Sequence, residues 1–167
     1  MADSSIARGQ KWLTQLLQKA GLSVTVEGSE EDVPLDNDEG ESYWLTIDEA
    51  NLSPEQISVL IGSNGSVLDA IQYLANSILN LNQPPDEQAS YTIELNGYRV
   101  KRQAEIRTLA ENAALAARAS GNEIEIKSLS SAERRQVHTF LKDYNDLETF
   151  SRGKEPHRHL VVRPAMD

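Results

Sequence analysis

The sequence predicts an α+β protein made of two consecutive units. Three observations carry this expectation. Apolar spacing switches between helical and strand periods in the order α-β-β-α-α-β over the first 95 residues. Two capping boxes, one opening at Ser53 and one at Ser130, mark helix starts that do not depend on hydrophobic pattern. The charge also changes along the chain: residues 1–90 carry 3 Lys+Arg against 15 Asp+Glu, and residues 91–167 carry 13 against 11.

In the first half, Ile6, Trp12, Leu13, Leu16, Leu17 and Ala20 recur near helical spacing, and Gly21 follows them. They predict an amphipathic helix over 6–20 with a glycine stop. Residues 22–27 and 42–48 alternate as strands, expected to pair antiparallel around an acidic loop at about 28–41. That loop holds Glu30, Glu31, Asp32, Asp36, Asp38, Glu39 and Glu41, a charge block expected to be solvated. Asp36 to Gly40 only gestures at a calcium loop, which needs a Glu twelve residues in. Ser53 caps the next helix, Pro54 suits its first position, Gln56 closes the box, and Gly62 ends it. A second helix starts near Ser66, with a wide apolar face of Val67, Leu68, Ile71, Leu74, Ala75, Ile78 and Leu79. Pro84 and Pro85 break the pattern, residues 90–95 read as a strand, and Asn96-Gly97 turns the chain.

In the second half a long helix is expected over 99–120. Its apolar side is Ile106, Leu109, Ala110, Ala113, Ala114 and Ala117, and its start is basic, with Arg99, Lys101, Arg102 and Arg107. A strand over 123–129 follows Gly121, then a helix from the Ser130 cap to about residue 144. A short strand at 147–150, a turn at 151–156 and a strand at 159–163 complete a compact α-β-α-β unit.

Composition narrows the function classes. The chain has no cysteine, so disulfides and thiolate metal sites are excluded. No run approaches the roughly 18 apolar residues of a membrane span, and the first ten residues lack a signal-like apolar stretch, so a cytoplasmic protein is expected. Neither a GxxxxGK[ST] phosphate loop nor a GxSxG elbow occurs, and catalysis and cofactors are not expected. His157 and His159 lack a third ligand at metal spacing, so no metal is expected.

The stretch LIGSNGSVLDAIQYLANSILN places Gly62, Ser63, Asn64 and Gly65 between two helices. Glycine leaves main-chain amides unshielded and tolerates positive φ, and the start of the second helix adds partial positive charge. Phosphate oxygens suit such a corner, although an ordinary tight turn would read the same way. The element order with this corner resembles a type II KH domain, a single-stranded nucleic-acid clamp. The fuller stretch is similar to the KH segment of the bacterial Jag (KhpB) family. The resemblance implies a three-stranded sheet with helices on one face, and RNA binding by Gly62, Ser63, Asn64 and Gly65. Lys or Arg between the glycines is absent here, so the electrostatic pull is expected to be weak. A Gly65→Asp change is expected to block the corner without unfolding the chain.

In SSAERRQVHTFLKDYNDLETFSRGKEPHRHLVVRP, Arg134, His138 and Lys142 fall four apart, with Arg135 beside them. On a helix they are expected to form one exposed basic stripe, suited to a sugar–phosphate backbone. Arg134-x-x-x-His138 and the tail from Ser151 to Val162 resemble the R-three-H domain, a single-stranded nucleic-acid module. The KH-then-R-three-H order is the Jag arrangement. It implies domains at 1–95 and 98–164 and a non-catalytic, post-transcriptional RNA-binding protein. Arg134 and His138 are its carried-over binding residues. Arg135, Lys142 and Arg158, and less firmly Arg152 and Lys154, are added from charge and position. The alternative is a protein-interaction adaptor that pairs through its KH surface with a small KH protein.

Overall fold

A computed structural model of the chain describes residues 2–30 and 40–166. Glu31, Asp32, Asp36, Asp38 and Glu39 of the acidic block, with the calcium-like stretch, lie outside the described residues. The chain is mixed α+β and divides into two compact units, Met1–Val100 and Lys101–Asp167.

In the first unit, helix α1 (Ala2–Lys19) precedes strands β1 (Val26–Glu30) and β2 (Glu41–Ile47), helices α2 (Pro54–Ile61) and α3 (Ser66–Leu79), and strand β3 (Ala89–Leu95). The sheet order is β1-β2-β3. β1 and β2 are antiparallel, while β2 and β3 are parallel, with Leu45 opposite Ile93. A parallel pair needs a long crossover, which α2 and α3 supply. Along β2, Tyr43, Leu45 and Ile47 are buried and alternate with half-buried residues, so one face of the sheet carries the core. Leu13 and Leu17 of α1 and Leu68, Ile71, Ala75 and Leu79 of α3 join them there.

β1 begins four residues later than the pattern over 22–27 suggests. Its partner is the reason: β2 ends at Ile47, which pairs with Val26, so residues before Val26 have no ladder to join. The α3 face is also narrower than expected. Leu68, Ile71, Ala75 and Leu79 are buried, but Val67, Leu74 and Ile78 are exposed, because the sheet covers only one side of the helix.

β3 is an edge strand, and α3 closes its edge with three amide side chains four residues apart. Gln72 Oε1 accepts from the Ile93 amide (3.0 Å). Asn76 brackets Tyr91, accepting from its N–H (2.8 Å) and donating to its carbonyl (2.9 Å). Asn80 does the same to Ala89, with both bonds at 2.8 Å. An open edge would expose these groups to water or to another strand.

The second unit comprises most of helix α4 (Tyr98–Ser120), then β4 (Ile124–Ile126), α5 (Ser131–Leu141), β5 (Leu147–Arg152) and β6 (His159–Pro164). Its sheet runs β4-β6-β5 with both pairs antiparallel. Expected as α-β-α-β, the unit is α-β-α-β-β, since 147–152 is a full six-residue strand bonded to β6 along its length. Ile106, Ala110, Ala113, Ala114 and Ala117 pack with Val137, Leu141, Leu160 and Val162, and alanine lets α4 lie close. Leu109, expected on that face, is exposed. Among the described residues, no helix is long and apolar enough to cross a membrane.

Candidate functional site

The capping box at Ser53 forms as expected: its hydroxyl accepts from the Gln56 amide (3.2 Å) and the Gln56 side chain accepts from the Ser53 amide (2.9 Å). α2 then ends on Gly62 at φ +74°, whose amide donates to the Ser58 carbonyl (2.9 Å). Residues 63–65 form a single 3-10 turn, with Asn64 at φ 53° and Gly65 at φ 77°. The Gly65 amide donates to the Gly62 carbonyl (3.3 Å), and the Ser66 amide to that of Ser63. Ser63 and Asn64 are exposed at the tip. Two of the four amides from Gly62 to Gly65 are therefore committed inside the protein, which leaves those of Ser63 and Asn64 for a guest.

The glycines themselves answer to internal packing. A Cβ at Gly65 would stand 2.4 Å from the Tyr98 hydroxyl and 2.6 Å from its ring. At Gly62 it would stand 2.6 Å from Val67 Cγ2 and 2.8 Å from the Val67 amide nitrogen. Positive φ adds strain at both positions. The expectation that Gly65→Asp would leave the fold intact is therefore corrected: Tyr98 already fills the space a side chain would need. Behind the corner, Asp69 pairs with Arg99 Nη1 (2.5 Å), while Arg99 Nε donates to the Ile93 carbonyl (3.1 Å).

In the second unit α5 opens with the expected capping box, and Glu133 also receives Arg102 Nε (2.8 Å). The exposed stripe expected along α5 is not formed as read. Arg134 is only 4% exposed. Its Nη1 donates to the carbonyls of Leu129 (2.8 Å) and Arg158 (3.3 Å), and its Nη2 pairs with Glu155. Arg134 sits on the inner side of α5, one residue from Arg135, which is exposed. Helical spacing gives relative direction but not which side meets the core, and here the 129 and 155–158 segments claim the guanidinium. His138 is half-buried and shares a 2.6 Å hydrogen bond between its Nδ1 and Thr149 Oγ1. Burial, with the Arg134 charge nearby, lowers its pKa below the ordinary histidine value. Lys142 lies exposed at the end of the helix.

Several other cations are committed to carboxylates. Arg152 pairs with Glu123 (3.0 Å), Arg163 with Glu148 (3.0 Å), and Arg118 with Asp146 (2.6 Å). Arg152 and Arg163 also lie 5.2 and 4.8 Å from the Phe150 ring. Arg158, by contrast, reaches a main-chain carbonyl, that of Gly153 (2.8 Å), and Lys154 and His157 are exposed nearby. Sequence reading passed over Tyr98, the amide ladder of Gln72, Asn76 and Asn80, and Lys127. The ladder had a legible signal, three amides at helical spacing facing a strand that starts soon after. Tyr98 had none, because its contact with Gly65 spans 33 residues of chain.

Residues 104–164 match the R-three-H domain family. The chain is 29% identical over 112 residues to the RNA-binding protein KhpB of Clostridium symbiosum, covering 67% of this chain and 50% of that protein. Against the RNA-binding protein KhpB of Lactiplantibacillus plantarum, identity is 30% over 128 residues, covering 77% of this chain and 38% of the relative. With the Bacillus subtilis RNA-binding protein KhpB it is 30% over 114 residues, covering 67% and 54%. The chain thus spans about half or less of the length of these relatives. A two-unit α+β chain with Arg134 and His138 on one helix and this pattern of similarity belongs among the KhpB-like proteins that carry an R-three-H domain.

Proposed function

We propose that the chain is a non-catalytic, single-stranded RNA-binding protein of the cytoplasm that acts after transcription, with a KH-type module at 1–95 and the R-three-H module at 98–164. One observation carries this reading. Similarity to relatives named as RNA-binding covers 77% of the chain, well beyond residues 104–164, so it extends into the first unit with its glycine corner. The order α-β-β-α-α-β and the exposed Ser63–Asn64 tip at the start of α3 support the KH reading. On this reading the tip holds phosphate through main-chain amides and polar side chains, while Arg135, His138, Lys142 and Arg158 supply the second contact.

Fluorescence anisotropy with a labelled single-stranded RNA tests the proposal. Saturable binding that weakens as salt rises is expected, and a folded protein that leaves the anisotropy unchanged overturns it. A specific observation favours a protein contact in addition. Tyr73, Leu74, Ile78 and Leu81 of α3 and its exit are exposed, at 73%, 43%, 47% and 66%. This apolar stripe supports pairing of the first unit with a small KH protein, without replacing RNA as the ligand.

A further inference from the structure

We infer that a cleft at one end of the second sheet accepts a single unstacked nucleotide of the bound RNA. The inference rests on the RNA-binding reading and names a subsite within it. The cleft measures about 440 Å³ and lies between the end of β4 and the segment leading into β6. Lys127 and Ser128 line one side; Pro156, His157, Arg158 and His159 line the other. Its size falls within the roughly 300–1,000 Å³ that small ligands occupy.

The two walls are held together by a buried group. Arg134 Nη1 bonds the Leu129 carbonyl, next to one wall, and the Arg158 carbonyl, within the other. The His157 amide donates to the Lys154 carbonyl (2.8 Å), and Arg158 reaches back to the Gly153 carbonyl (2.8 Å), so the second wall is a braced turn. A cleft set before its ligand arrives spares the ligand the cost of ordering it.

The lining chemistry fits a nucleotide better than an apolar ligand. Lys127 and Arg158 offer cationic donors for a phosphate. The imidazoles and the guanidinium plane offer flat faces of the kind on which splayed-out bases stack. The carboxylate on the rim, Glu125, is held among Lys127 (3.7 Å), His159 (3.4 Å) and Arg152 (3.9 Å), so its charge is shared by neighbours and weighs less against an anion. Lys127 and His157 are exposed, so replacing them does not disturb the core.

The test compares the intact chain with Lys127→Ala, His157→Ala and the charge-matched control Lys19→Ala in anisotropy titrations with one labelled single-stranded RNA. Loss of one cation contact or one stacked base should weaken binding about tenfold for Lys127→Ala and for His157→Ala, and less than about twofold for Lys19→Ala. In parallel, a nucleoside monophosphate titrated into isotope-labelled protein should shift the amide resonances of Lys127, Ser128, His157 and His159. If the unsubstituted chain binds RNA and both variants bind as tightly, the cleft assignment is overturned while the RNA reading stands. If the unsubstituted chain binds no RNA, the reading itself falls, and the cleft with it.

Discussion

The glycine corner of the first unit and the α5 helix of the second carry equally recognisable signatures, yet their polar groups are spent differently. At the corner the signature residues make room: Gly65 lies against Tyr98 and Gly62 against Val67, while the non-signature residues Ser63 and Asn64 form the exposed tip. On α5 the signature residue Arg134 builds from inside, tying the carbonyls of Leu129 and Arg158, while Arg135 and Lys142 face outward. The difference teaches that a recognisable residue can define a binding surface without touching a ligand. Glycine does so by absence, which costs nothing electrostatically. Arginine does so by charge, and a nearly buried guanidinium must be fully bonded to be stable. A corner without cations can only offer dipoles to a phosphate, whereas the second unit offers cations on a framework braced by one of their kind.

The sharpest break of this contrast comes from Gly65→Asp. Overpacking against Tyr98 and left-handed strain should together cost about 3 kcal/mol, read as a lower denaturant midpoint of the first unit by circular dichroism. Unchanged stability with lost RNA binding would instead return the corner to a simple ligand surface. Arg134→Ala comes next. Losing charge-assisted bonds to two carbonyls should cost about 2 kcal/mol, measured by the same unfolding assay. An Arg134→Ala protein with full stability but no RNA affinity would make Arg134 a ligand contact after all.

Charge at the exposed tip gives a smaller effect. Replacing Ser63 and Asn64 together by Asp should weaken RNA binding about tenfold by anion repulsion, with the denaturant midpoint unmoved. Salt dependence then separates the units. The slope of log affinity against log salt should lie near −2 to −4, about 0.7 per phosphate contacted. Arg135→Ala should make the slope shallower by about one such step, while Ser63→Ala should leave it alone.

The smallest effect is pH-dependent and belongs to His138. Its pKa in the folded chain is lowered by burial first and by Arg134 second, so the unfolded chain takes up the proton more readily. Stability should therefore be unaffected by this group above its unfolded value of about 6.5 and should decline as pH falls below it. Thermal unfolding between pH 7.5 and about 5.5 should show the decline in the unsubstituted chain, and less of it in His138→Gln.

Much of the architecture was legible because it rests on local physics. The capping boxes at Ser53 and Ser130, the glycine stop at Gly62 and the strand alternation at 41–47 and 89–95 each depend on residues within a few positions, and each forms. The candidate site was legible only as a list of residue types. Ser63, Asn64, Arg135 and Lys142 are exposed as expected, but Arg134 is not, because helical spacing cannot say which flank the 155–158 turn will cover. The net charge of the second half was a similarly partial guide. Arg118, Arg152 and Arg163 each meet a carboxylate distant in sequence, so a formal sum says little about where a phosphate would feel attraction.

By itself, the order of apolar and polar residues determined the helices, most strand positions and the two-unit α+β plan, since period and capping act within one or two turns. Tertiary structure alone decided where β1 starts, which side of α3 stays bare, and that Gly65 belongs to Tyr98 and Arg134 to two distant carbonyls. Those outcomes depend on competition for burial and for hydrogen-bond partners between segments far apart in the chain, and no local pattern records who wins.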